Sequence, residues 1–191
     1  IVFNCVSYGA YPFETDADLI YRTNFSLTLK LLRLLEKRGL SFYVHAGSSS
    51  EYGCNAAGPS ETAPLEPDSD YAVSKAACAG LLAYYGKKKR FPCANLRLYS
   101  AYGPFEDPSR FVPTLVRSGL EGRYPALVDR EVSRDFVYVG DACEAFVAAA
   151  GAPRARYGES FNIGSGRKTT IGEAAEAAGT LFGTREKPVF G

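Results

Sequence analysis

Methionine is missing altogether from these 191 residues, histidine occurs once, and neither a long apolar run nor an excess of one charge is present. Each absence narrows the possibilities. The chain opens directly on Ile1-Val2-Phe3 rather than on an initiator residue, so the expectation is a piece of a longer protein. A sequence from which modified methionines have been dropped would look the same, and its spacings would be short by one at each loss. With His45 as the one histidine, His-based metal sites and Ser-His-Asp triads have no material, and no metal is expected. No apolar stretch approaches the ~20 residues that span a bilayer, and no signal peptide is visible. The net charge of +1 makes no electrostatic case for nucleic acid or an anionic membrane. Cys5, Cys54, Cys78, Cys93 and Cys143 are scattered, odd in number and without a C-x-x-C pair. They read as reduced thiols of a cytoplasmic protein.

What is present is typical of a folded domain: 46% apolar and 23% charged residues, enough for one domain or one and part of another. Ile1 to Val6 reads as a buried strand, and Asp16 to about Lys37 as a helix with Leu27, Leu31, Leu34 and Leu35 on its apolar face and Gly39 as C-cap. Leu40 to Ala46 is a second strand. A long loop with Gly58, Pro59, Pro64 and Pro67 leads to a helix from Tyr71 to about Lys89, ending in the basic run Lys87 to Arg90. Cys93 to Leu98 is a third strand. Strand, helix, strand, helix, strand is the rhythm of a doubly wound parallel α/β sheet. Further on, a helix covers 111 to 121, a strand Asp135 to Val139, a helix capped by Asp141 runs to about Ala150, Phe161 to Gly164 is a strand and turn, and a last helix begins near Ile171.

Ligands in such sheets bind at the carboxyl ends of the strands. Three ends carry small, polar or aromatic residues: Asn4 to Tyr8, Ser48 to Ser50, and Tyr99 to Tyr102. Tyr71 and Lys75, four residues apart, lie one turn apart on the same helix face. An ammonium near a phenol favours the phenolate and suits proton exchange with a substrate hydroxyl. Ser48 can hydrogen-bond that hydroxyl or its ketone, and Lys75 can also hold a ribose. These are the acid–base and orienting groups that hydride transfer with a nicotinamide cofactor requires of a protein.

The chain resembles the extended short-chain dehydrogenase/reductases, in particular the NAD-dependent nucleotide-sugar epimerase and dehydratase family. The resemblance rests on five segments in order: Ser48-Ser49-Ser50-Glu51-Tyr52-Gly53; Tyr71-Ala72-Val73-Ser74-Lys75; Leu96-Arg97-Leu98-Tyr99-Ser100-Ala101-Tyr102-Gly103-Pro104; Ser133-Arg134-Asp135-Phe136-Val137-Tyr138-Val139-Gly140-Asp141; and Phe161-Asn162-Ile163-Gly164-Ser165-Gly166. It implies a Rossmann-like doubly wound sheet with a smaller C-terminal substrate-binding region. The boundary is expected at 104, with 133–150 returning to the nucleotide-binding domain. Tyr71 becomes the acid/base, Lys75 the ribose-binding residue, and Ser48 the hydroxyl partner. Asn4, Val6, Asn24, Tyr99 and Ala101 would face the cofactor, NAD in preference to NADP. Tyr8, Ser100, Arg110 and Arg134 would face the substrate, a nucleotide-diphosphate sugar, with Arg134 suited to phosphate. The alternatives are a surface ion pair of Arg134 with Asp135 or Asp129, and a solvated helix charge for Arg110. A homodimer is implied as well.

The glycine-rich turn that would seat the cofactor pyrophosphate is not among these residues, nor is the acidic residue that would bind adenosine, so the chain corresponds to the middle of such an enzyme. Related 4,6-dehydratases carry acidic residues directly after the catalytic hydroxyl. Here Ser49 and Ser50 follow Ser48, which favours a 4-epimerase or 4-ketoreductase. Gly47 to Gly53 is also similar to deoxysugar 4-reductases, and Ser7 to Pro12 to their relatives, which implies surface-polysaccharide or deoxysugar synthesis. A methionine lost between Glu51 and Tyr52 would move the catalytic role to Ser49 and bring the pattern closer to a dehydratase. A member that binds nucleotide without catalysis is the remaining alternative.

Overall fold

The computed structural model describes residues 1–53 and 58–191, so the Cys54 thiol lies outside the described residues. Two compact units are formed, Ile1–Leu98 with Cys143–Ile163, and Tyr99–Ala142 with Gly164–Gly191.

Four parallel strands build the first unit: β1 (Val2–Asn4), β2 (Tyr43–Ser48), β3 (Cys93–Leu98) and β7 (Ser160–Ile163), in that spatial order. β2 is buried along its whole length and β3 along nearly all of it, as expected of central parallel strands covered on both faces. The two faces differ. Phe42, Val44, Ala94 and Leu96 pack with Phe146, Phe161 and Ile163 into one apolar layer under α5 (Val139–Ala149). On the other face Tyr43 and Cys93 join Leu32, Leu82 and Tyr85 from the helices α2 (Leu27–Arg38) and α3 (Asp70–Lys89). Two residues further along the strands that face turns polar. Asn4, His45, Asn95 and Ser160 stand in register across all four strands.

α3 starts where Ser69 Oγ accepts the Ala72 N–H, and it ends with Lys87, Lys88 and Lys89 at its negative pole. Its last turn lies against backbone. A Cβ on Gly158 would stand 3.0 Å from Gly86 Cα and 2.8 Å from the Leu82 carbonyl, and Gly158 also has φ +82°. Glycine is the residue that permits both.

The first helical stretch departs from the expected pattern. α1 (Ala17–Tyr21) passes through a π-helical turn, Arg22–Ser26, before α2. The extra residue in that turn rotates everything after it. Asn24, Thr28 and Leu32 form the buried line, and Leu34, expected inside, is 51% exposed. The turn also releases the Asn24 carbonyl, which accepts from Thr28 Oγ1 and Cys78 Sγ.

The second unit holds two small sheets. β4 (Ser100–Tyr102) pairs in parallel with β6 (Phe136–Tyr138), and β5 (Ser133–Arg134) pairs antiparallel with β8 (Thr169–Thr170). The strand expected over 135–139 is found as β6, and β5 just before it was not expected. Leu127, Ile171 and Ala175 form its core, with α4 (Phe111–Leu120) contributing Phe111 and α6 (Ile171–Phe182) the last two. Asp141 lies inside the first turn of α5 rather than capping it, because the helix begins at Val139. Among the described residues no helix is long and apolar enough to cross a membrane.

Candidate active site

Ser48 is the last residue of β2 and the N-cap of a 3₁₀ turn, Ser49–Tyr52. Its Oγ accepts the Ser50 N–H at 3.1 Å, and its own N–H is given to Glu51 Oε1 at 3.0 Å. This reciprocal cap holds the turn closed. Two residues back on the strand, the Ala46 carbonyl accepts from Lys75 Nζ at 3.0 Å. Lys75 is 1% exposed, and burial holds its pKa below the ordinary lysine value against the opposing pull of Cys78, Glu51 and Cys5. Its ammonium sits 5.6 Å from the ring centroid of the half-buried Tyr71. Helix α3 therefore delivers Lys75 to the strand whose end is Ser48, with the Tyr71 ring beside its ammonium. Ser49 begins the 3₁₀ turn, half-buried.

At the end of β1 the side chains expected to face a cofactor are engaged within the protein. Asn4 Nδ2 donates to Tyr43 Oη at 2.7 Å and to Thr28 Oγ1 at 3.4 Å, while Asn4 Oδ1 accepts the Val6 N–H. Asn24, in the π turn, clamps Tyr8 from both sides: it accepts the Tyr8 N–H and donates to the Tyr8 carbonyl. The same amide donates to Ser74 Oγ, which in turn donates to the Tyr71 carbonyl. His45 lies within this polar layer, its pKa pulled down to about 3 by burial and then by Lys75. It is a core residue, fully buried.

Tyr99, Ser100, Ala101, Arg110 and Arg134 belong to the second unit. Ser100 pairs with Phe136, and the Ala101 N–H is given to the Tyr99 carbonyl. Arg110 precedes α4 and lies 3.7 Å from Glu106. Arg134 is exposed and donates to the Ser133 carbonyl. Asp135 has other partners, accepting from the N–H and Oγ of Ser165 and from the Gly166 N–H. That carboxylate ties the segment around Arg134 to the glycine turn after β7.

A buried group went unnoticed in the sequence. Arg97, on β3, donates through Nε to Glu51 at 2.7 Å and through Nη1 to Tyr52 Oη and the Glu61 carbonyl. Tyr52 Oη donates to Asn162 on β7, and Asn95 donates to Glu51. The available signal was an Asn and an Arg inside an otherwise apolar strand, which must find partners when buried.

A parallel sheet whose central strand ends in a hydroxyl, beside a helix bearing Tyr-x-x-x-Lys, is the arrangement of a Rossmann-like dehydrogenase or reductase. Residues 1–164 match the NAD dependent epimerase/dehydratase family, and the chain belongs to it. It is similar to a UDP-glucose 4-epimerase of Mycolicibacterium smegmatis, 32% identical over 94% of this chain and 56% of that one. Among solved structures it is similar to the UDP-glucose 4-epimerase of Thermotoga maritima with UDP-glucose (TM-score 0.89, 26% identity, 100% of this chain and 63% of that one). It is also similar to the dTDP-glucose 4,6-dehydratase of Bacillus anthracis with NAD (TM-score 0.79, 30% identity, 94% and 59%). The chain thus spans about half the length of the curated relatives it matches.

Proposed function

We propose that the protein carries out hydride transfer at C4 of a nucleotide-diphosphate sugar with NAD, as a 4-epimerase or 4-ketoreductase. The observation that carries this reading is the Lys75–Ala46 hydrogen bond, which fastens the helix bearing Tyr71 to the strand ending in Ser48. The donor set suits a nicotinamide ribose: an ammonium has three donors, and Ala46 takes one. Bound cofactor would supply the hydride acceptor as NAD, or the hydride donor as NADH. Tyr71 takes the proton of the 4-hydroxyl on oxidation and returns one to the 4-keto oxygen on reduction, Ser48 hydrogen-bonds the same oxygen, and the Lys75 charge stabilises the phenolate. Val6, Tyr99 and Ala101 are assigned to the cofactor, whereas Asn4 and Asn24 act by holding the segment after β1 in shape. Tyr8, Ser100, Arg110 and Arg134 serve the substrate, the two arginines as forks for phosphate oxygens.

One observation favours epimerase or reductase over dehydratase. Glu51, the first carboxylate after Ser48, has both oxygens taken by the Ser48 N–H, Asn95 and Arg97, so it is not free to protonate a leaving hydroxyl. The thiols of Cys5, Cys78, Cys93 and Cys143 are free, which supports a cytoplasmic setting, and the exposed Val73 and Tyr84 on α3 support a homodimer.

The test is turnover of UDP-glucose, UDP-galactose and dTDP-glucose with NAD, and of a dTDP-4-keto-6-deoxy sugar with NADH. A 4-epimer from the first set, or a 4-hydroxyl formed from the keto sugar, supports the proposal; a 4-keto-6-deoxy product from dTDP-glucose makes the protein a dehydratase. NAD binding with no turnover of any nucleotide sugar would assign it to the non-catalytic members. Tyr71→Phe is expected to lower kcat ~10²- to 10⁴-fold with nucleotide binding intact.

A further inference from the structure

We infer that Glu51 is a positioning residue for the Ser48 hydroxyl, held to that task by Arg97. The inference rests on the role of Ser48 proposed above.

Ser48 stands where β2 stops, a place at which a strand end frays unless its backbone is tied down. The tie is the Glu51 carboxylate, whose Oε1 takes the Ser48 N–H at 3.0 Å. A carboxylate can rotate away from a backbone N–H, and this one is prevented from doing so on its other side. Oε2 is bound at 2.7 Å by Arg97 Nε, and Asn95 Nδ2 reaches both oxygens at 3.2 and 3.3 Å. Arg97 is itself fixed by Tyr52 Oη and by the Glu61 carbonyl, and Tyr52 by Asn162 on the outermost strand. The chain of contacts therefore runs from β7 through β3 to the one backbone group that sets where the Ser48 side chain starts. Burying an Arg–Glu pair this completely gives little net stability, because desolvation offsets the attraction. A fully connected pair of this kind is better explained by what it orients than by what it stabilises. The glycine before Ser48 fits the same account. A Cβ on Gly47 would stand 2.6 Å from Glu51 Oε1 and closer still to Asn95, so the carboxylate can cover Gly47 only because nothing is there.

Removing Glu51 alone would strand the Arg97 charge, so the test removes both charges. Glu51→Leu/Arg97→Met is expected to fold with an unchanged circular dichroism spectrum. Its kcat should fall by ~10- to 100-fold, as for a displaced reacting group, while KM for the nucleotide sugar stays within about 3-fold of wild type. Because Glu51 acts through Ser48, adding Ser48→Ala to that pair should cost nothing more, whereas in the wild-type background Ser48→Ala costs the full loss. Glu51→Gln/Arg97→Met, which restores an acceptor for the Ser48 N–H, should recover turnover to within about 3-fold. Amide hydrogen exchange at Ser48, read by NMR, needs no substrate and should quicken at least ~10-fold in Glu51→Leu/Arg97→Met. Unchanged Ser48 exchange in that variant overturns the inference, as does wild-type kcat, an additive Ser48→Ala loss, or no recovery with Gln. If the wild type turns over no nucleotide sugar, the functional reading fails by itself, and the Ser48 exchange rate alone decides the inference.

Discussion

Lys75 Nζ donates to the Ala46 carbonyl at 3.0 Å, an ammonium fastened to the backbone of the strand it overlooks. Lys75→Met keeps the stem and removes the charge. Burial already disfavours that charge, since the pKa is held low, so thermal stability should be unchanged or higher. Turnover should fall ~10²- to 10⁴-fold. Melting and steady-state rates of the same preparation check the two halves separately, and wild-type turnover in Lys75→Met would remove Lys75 from the proposed mechanism.

His45 should give the protein an acid limb. Its folded pKa of about 3 lies below the ordinary 6.5, so the unfolded chain takes up the proton first as pH falls. The stabilisation is complete above 6.5 and is lost on the way down to about 3. Between pH 6.5 and 5 this single group accounts for about 2 kcal/mol. Urea unfolding of wild type and His45→Gln at both pH values should show that difference shrinking in the variant. Parallel curves would mean that His45 does not titrate in this way.

Gly47→Ala should destabilise by about 1–3 kcal/mol, the cost of forcing a methyl against packed polar atoms. The added Cβ meets the Asn95 amide and the Glu51 carboxylate. A lowered urea midpoint at constant m-value is the expected reading. An unchanged midpoint would show that the group under β2 has room to yield.

In the second unit, Asp135→Ala should release the turn that its carboxylate holds through Ser165 and Gly166. The cost is about 1 kcal/mol, since the bonds are open to water. The clearer readout is faster amide exchange at Ser165 and Gly166, with the amides of α4 unaffected.

How much of this was legible in the sequence depended on whether the deciding contacts are local. β3 falls on Cys93–Leu98 and α3 on Asp70–Lys89 because a Ser N-cap, an apolar run and a basic terminus are short-range signals. The buried side of α2 was legible only in part, for the opposite reason: Leu35 packs on the core as expected and Leu34 does not. Leucines surround that helix, and only the π turn before it, stabilised by Thr28 and Cys78, determines which of them turn inward. Tyr71, Lys75 and Ser48 could be picked out by type and spacing, yet the residues that hold them could not. Arg97 meets Glu51 across 46 positions and Tyr52 meets Asn162 across 110, separations at which no local pattern survives. Asn4 and Asn24 were legible as polar residues, but not as residues whose amides the protein itself occupies.

Gly86 and Gly158 let the far end of α3 rest on backbone rather than on side chains. Side chains repack and absorb small displacements; two main chains in contact do not. The helix is therefore seated at a hard stop and acts as a gauge rod. From Gly86 to Tyr71 it measures off about 22 Å at 1.5 Å per residue. A single methyl at either glycine would shift the origin of that measurement, and a phenol a whole helix away would arrive at the wrong height.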